Sequence, residues 1–165
     1  MASTLDTAWL ARCPLFGGLS EASCGQFAQR MASAELKPGD VVYSEGDSAS
    51  SLFILVEGRL DLCKCHNGNQ VNLGELSPGE FFGDMSFIDM QPRSMTVRAT
   101  EPSVICQLEY AALRDVYVSD LKSYTLVVMN IAREMSRRLR VSDEQLFRAT
   151  MGALPPAPET TFHTI

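Results

Sequence analysis

Two hydrophobic periods divide this chain. Between Val41 and Leu108 short apolar runs recur: Val41-Val42-Tyr43, Leu52 to Val56, Leu60 to Cys65, Val71 to Leu73 and Val104 to Leu108. Glu45-Gly46-Asp47, Glu57-Gly58, Asn67-Gly68-Asn69 and Ser77-Pro78-Gly79 separate them. Short runs bounded by such residues read as strands, and Asn-Gly between two of them signals a two-residue hairpin. Strands at this spacing predict a β-sandwich or barrel, its edges closed on each other or covered by helices. On both sides the period is helical. Leu5 to Ala34 reads as helical, with Ser20 as an N-cap and Phe27 and Met31 at helical spacing, until Lys37-Pro38-Gly39-Asp40 breaks the pattern. After Leu108, Tyr110 to Tyr117 makes a short helix, and Ser119 caps a long one reaching about Thr150.

In that long helix Leu121, Val128, Met135 and Ser142 recur every seven residues, interleaved with Thr125, Ala132, Leu139 and Leu146. Two apolar positions per heptad make a coiled-coil-like seam, weakened by Thr125 and Ser142. The seam either packs on the protein's own barrel or meets a second copy. Both are compatible if the early part packs inward and the later part meets a partner. A homodimer through this helix is the favoured reading. The expected segments are a helical N-terminus (1–36), a β-roll (37–109), C-terminal helices (110–150) and a flexible, proline-rich tail (151–165).

Composition narrows the class. The 165 residues are 45% hydrophobic and 21% charged, ordinary for a globular domain long enough to bury a core. No apolar run approaches the roughly 20 residues of a membrane helix, so no membrane partner is expected. Residues 1–10 contain Asp6 and lack a basic start, which argues against a signal peptide. Five scattered cysteines (Cys13, Cys24, Cys63, Cys65 and Cys106) fit a reducing, cytoplasmic setting. Cys63-Lys64-Cys65-His66 lacks the second ligand cluster that a structural zinc site needs, so no metal is expected. The formal charge of −6 argues against a nucleic-acid-binding surface. Arg133, Arg137, Arg138 and Arg140 sit beside Glu134, Asp143 and Glu144, as on a solvated helical flank.

The candidate chemistry lies in Phe82 to Val97. Gly83 opens a short helical turn, the carboxylate of Asp84 follows at once, and Arg93 comes nine residues later, before Ser94. Free N–H groups at a helix start beside glycine attract anions. An arginine meets phosphate with parallel donors, and a carboxylate accepts from a sugar hydroxyl. A small ligand with one phosphate and a sugar fits this set.

These residues resemble the cyclic nucleotide-binding domain shared by the bacterial catabolite activator protein and the regulatory subunits of cyclic-nucleotide-dependent kinases. The resemblance runs from Pro14 to about Arg148. It rests on Gly39-Asp40, Glu45-Gly46-Asp47, Leu52-Phe53-Ile54-Leu55, Gly58, Gly79-Glu80 and the stretch Phe82 to Ala99, which matches the family's phosphate-binding cassette. It implies a mainly β (α+β) fold: a β-roll or jelly-roll barrel with N-terminal helices and a long C-terminal helix. It also implies a ligand site of Phe82, Gly83, Asp84, Met85, Ser86, Arg93, Ser94 and Met95. Gly83 and the following N–H groups would face the phosphate, Arg93 would bind it, and Ser94 would touch phosphate or purine. Ser142 and Asp143 match positions that reach the base, one of them across a dimer.

Two positions depart from the family. Asp84 stands where glutamate usually accepts from the ribose 2′-hydroxyl, and Met95 stands where alanine is usual. The shorter acid weakens the ribose contact, and the longer side chain crowds the pocket or repacks against the barrel. The bland alternatives are a helix-start acid at Asp84 and a surface ion pair at Arg93.

The expected function is a stand-alone regulatory protein with no resident cofactor. It binds cyclic AMP, or cyclic GMP, and signals to a separate effector protein by helix repositioning. The alternative is a ligand-free interaction or dimerisation module of the same fold. An enzyme is not expected, because no metal cluster or nucleophile–base pair is visible and only His66 and His163 supply imidazoles. Direct DNA binding is not expected either, since the fifteen residues after Thr150 are neither basic nor periodic.

Overall fold

In a computed structural model, residues 6–153 are described. Eight antiparallel strands form two four-stranded sheets. The strands are β1 (Ala32–Leu36), β2 (Val41–Tyr43), β3 (Ser51–Glu57), β4 (Leu60–His66), β5 (Asn69–Leu76), β6 (Phe81–Phe82), β7 (Thr96–Ala99) and β8 (Ser103–Glu109). One sheet runs β1-β8-β3-β6, the other β2-β7-β4-β5. The β4–β5 hairpin turns through Asn67 and Gly68 at φ 51° and 77°, as its Asn-Gly sequence predicts.

The helices are α1 (Thr7–Leu10), α2 (Glu21–Ala28), α3 (Asp84–Asp89), α4 (Tyr110–Ser119) and α5 (Leu121–Ala153), with a 3₁₀ turn at Pro14–Phe16. Ser20 caps α2 by accepting from the Ser23 N–H at 3.1 Å. The helical reading of Leu5 to Ala34, and with it a wholly helical 1–36 segment, is corrected at its end. Ala32–Leu36 is a strand paired along its length with β8. The cap of α5 is also corrected. Asp120, not Ser119, accepts from the Ser123 N–H at 3.1 Å, while the Ser119 hydroxyl donates to the Asp115 carbonyl.

Between the sheets lie Phe53, Leu55, Leu60, Leu76, Phe82, Val97, Ala99 and Ile105, with Tyr43 packed against them. Because strand side chains alternate, Leu52 and Ile54 point to the opposite face of their sheet, and both are fully buried. β3 is thus covered on both faces, which explains its unbroken apolar run. Phe16 and Phe27, with rings 5.1 Å apart, and Leu113, Val116, Val127 and Ile131 are among the buried residues of the helical segments.

The chain divides into two compact units, residues 1–132 and 133–165. The first holds both sheets and the start of α5, which buries Ser123, Val127, Asn130 and Ile131. Leu121 and Thr125 are exposed and Val128 only half-buried, so the early part of the heptad seam does not pack inward as expected. The second unit continues α5 to Ala153. It carries ion pairs from Glu134 to Arg137 and Arg138 and from Glu144 to Arg148, the solvated flank expected of it. Within the expected tail, Met151 to Ala153 close the helix, and the remainder lies outside the described residues.

Candidate functional site

The site is built around a buried arginine. Arg93 lies between α3 and β7 with only 4% of its surface exposed. Its backbone is clamped by the Glu45-Gly46-Asp47 turn. The Arg93 N–H donates to the Asp47 carbonyl and the Gly46 N–H donates to the Arg93 carbonyl, both at 2.8 Å. The turn is itself closed by the Asp47 carboxylate, which accepts from the Ser44 N–H at 2.8 Å.

The guanidinium is held from three sides. Nη1 donates to the Gly83 carbonyl at 3.0 Å and Nη2 to the Ser51 carbonyl at 2.6 Å. Its central carbon lies 4.2 Å from the Tyr43 ring centroid and 5.5 Å from that of Phe53. Nε is buried without a hydrogen-bond partner. Burial pulls the Arg93 pKa below its ordinary value, with Tyr43 and Asp47 opposing, and the group still carries its charge near neutrality. No carboxylate forms an ion pair with it among the described residues. A desolvated cation with a free donor is chemically an anion receptor.

Gly83 caps α3 at φ 76° and ψ 11°, a left-handed conformation that suits glycine. A Cβ there would come within 2.5 Å of Arg93 Nη1. The glycine therefore permits both the turn and the close seat of the arginine. α3 has no side-chain cap, so its first N–H groups lack helical partners. Ser86 is buried, and its hydroxyl donates to the Pro92 carbonyl at 3.2 Å, tying α3 to the residue before Arg93.

The other expected site residues fall as follows. Phe82 is a core residue stacked on Phe53 at 5.4 Å, so only its backbone faces the cassette chemistry. Asp84 is 2% exposed at the first position of α3. Met85 is exposed, and Ser94 and Met95 are half-buried. Ser142 and Asp143 lie in the second unit, exposed on α5. The structure thus brings together Gly83, Ser86 and Arg93. It adds Tyr43, Ser51 and Phe53, which the sequence reading did not assign to the site. An aromatic residue just before the Glu45-Gly46-Asp47 turn was the available signal for Tyr43.

Other chemistries find little support. Among the described residues no group of three or more histidine, cysteine or acidic side chains could hold a metal ion. Burial pushes the Cys13 thiol up to about 12 and that of Cys106 up to about 11, and it raises Cys24. Such thiols stay protonated and are poor nucleophiles. No helix among the described residues is long and apolar enough to cross a membrane.

Comparison with known proteins gives this geometry its class. A family model described as the cyclic nucleotide-binding domain matches residues 34–120, from β1 to the cap of α5. The chain belongs to the cyclic nucleotide-binding domain family. It is 32% identical over 137 residues to the cyclic AMP receptor protein of Thermus thermophilus, covering 81% of this chain and 60% of that protein. It is 30% identical over 132 residues to a cAMP-dependent protein kinase regulatory subunit of Mycosarcoma maydis, covering 80% and 24%. The chain therefore spans less than two thirds of the length of the first relative and about a quarter of the second.

Among solved structures, the catabolite activator protein of Thermus thermophilus aligns with a TM-score of 0.74 at 28% identity, covering 83% of this chain and 63% of that one. A cyclic nucleotide-binding domain from Methylobacillus flagellatus aligns with a TM-score of 0.79, covering 92% and 84%. At 22% identity that second likeness speaks for the fold alone.

Proposed function

We propose that this chain is a regulatory, non-catalytic module that binds a cyclic nucleotide, cyclic AMP in preference to cyclic GMP, with its phosphate on Arg93. The single observation that carries the reading is the buried guanidinium with no ion-pair partner among the described residues and an unpartnered Nε, seated on a glycine-led helix start. An unsatisfied buried donor costs about 1–3 kcal/mol, and an anion relieves that cost. The preference for cyclic AMP leans on the relatives named for it. Asp84 serves the sugar, and Ser142 and Asp143 serve the base. The occupied state shifts the C-terminal helix and is read by a separate effector protein. The exposed seam of that helix joins two copies of the chain. Five free cysteines, four of them buried, suit a cytoplasmic setting.

One observation favours the ligand-free reading. Asp84 is as buried as the core residue Phe82, at 2% exposure, which shields its carboxylate from a ribose hydroxyl. Titration calorimetry with cyclic AMP and cyclic GMP decides between the two. Binding should appear at tens of micromolar or tighter. Arg93→Ala should weaken it by at least about 10- to 150-fold, the equivalent of one charged hydrogen bond. Absence of binding by either nucleotide, or an Arg93→Ala variant that binds as well as the parent, removes the proposal.

A further inference from the structure

The geometry points to Tyr43 as a positioning residue of this site: its ring face, rather than a carboxylate, holds Arg93 where an anion can meet it. This rests on the reading of Arg93 as the phosphate ligand and adds what aims that side chain. A guanidinium at 4% exposure ordinarily sits against an acidic partner. Here its supports are two backbone carbonyls and two aromatic faces.

The substitution of ring for acid has a consequence. A carboxylate neutralises the arginine and competes with an incoming phosphate. A ring attracts the cation through its quadrupole and leaves the charge uncompensated. The carbonyls of Ser51 and Gly83 occupy two of the five guanidinium donors, so the remaining donors keep a fixed direction.

Tyr43 is itself immobilised. Its ring lies 5.8 Å from that of Phe53 and 6.1 Å from that of Phe82, and those two rings stack on each other. The four supports of Arg93 come from three elements: Tyr43 from the end of β2, Ser51 and Phe53 from β3, and Gly83 from the cap of α3. Removing the ring frees the guanidinium to rotate without touching either carbonyl.

The test compares Tyr43→Phe with Tyr43→Leu in the full chain, each checked by thermal melting. Titrated with cyclic AMP, Tyr43→Phe binds within about twofold of the parent. Tyr43→Leu binds about 3- to 30-fold more weakly, the worth of a desolvated cation–π contact. If Tyr43→Leu does not fold, Tyr43→Met takes its place. Equal losses in the phenylalanine and aliphatic variants, or no loss in either, overturn the assignment.

A second readout needs no ligand. The Arg93 Nε–H resonance, identified by its disappearance in Arg93→Lys, is shielded by the ring in the parent and in Tyr43→Phe. It moves downfield in the aliphatic variant, and a resonance that stays in place overturns the inference. Failure of the parent to bind any cyclic nucleotide defeats the reading of Arg93 as a phosphate ligand, while the resonance still decides the role of Tyr43.

Discussion

Gly83 and Arg93 occupy one another's space. The left-handed backbone at Gly83 and its 2.5 Å Cβ clearance to Arg93 Nη1 make the glycine necessary twice over. Gly83→Ala should therefore lower stability by about 1–3 kcal/mol, from the left-handed conformation and the displaced guanidinium together. Chemical denaturation measures it. An alanine variant as stable as the parent would show that the arginine moves aside freely. The pairing of Gly83 with Arg93 was legible in the sequence because a short turn and an isolated basic residue share one sixteen-residue stretch. Ser51 and Tyr43 were not, since each meets Arg93 across more than forty residues of chain and by backbone or ring face. Such contacts leave no local pattern.

At the scale of elements, local propensity decided the outcome except where pairing overrode it. Ala32–Leu36 reads Ala-Ser-Ala-Glu-Leu, which favours helix in isolation, with no β-branched or aromatic residue. It is a strand because β8 offers a complete ladder of partners. β6 escaped notice because two residues carry no period.

The cap of α5 draws on one acceptor, the Asp120 carboxylate. Asp120 accepts from the Ser123 N–H and from the Ser123 hydroxyl, and from the Ser23 hydroxyl of α2 at 3.3 Å. The Ser123 hydroxyl, then its N–H, are the main causes that hold the Asp120 carboxyl below its ordinary value. A folded pKa depressed in this way contributes stability that is complete above the unfolded value, near 3.9, and is lost as pH falls through the folded one. Asp120→Asn, which keeps a capping oxygen, should melt close to the parent at neutral pH and lose less on acidification below about pH 4. Melting curves at both conditions test it, and parallel acid losses in the two proteins would remove Asp120 from the pH dependence.

Asn130 makes a second long-range tie. Its side-chain amide donates to the Leu15 carbonyl at 3.0 Å and to the Gly17 carbonyl at 2.9 Å. Asn130→Leu should cost about 1–3 kcal/mol for each carbonyl left without a donor, read as a lower denaturation midpoint. An unchanged midpoint would mean that water replaces the amide.

For the whole molecule, the informative asymmetry is between the faces of α5. Ser123, Val127, Asn130 and Ile131 are buried within the first unit, spaced at four, three and one residues as one helical face requires. The heptad seam of Leu121, Thr125, Val128 and Ala132 occupies other positions, and its continuation through Leu139 and Leu146 is 62% and 68% exposed. Leucines so exposed at seven-residue spacing on a helix laced with Glu–Arg pairs are the arrangement of a coiled-coil partner face. The ion pairs add little stability of their own, so in the proposed dimer the apolar seam would supply the attraction. The proposed dimer then makes a definite prediction. Sedimentation analysis of the parent should show a concentration-dependent dimer, and Leu139→Glu combined with Leu146→Glu should give a monomer whose melting transition for the sheets is retained. Dimerisation that survives both charges would move the contact off this seam. A parent that stays monomeric at high concentration would leave the long helix as a surface for a different chain.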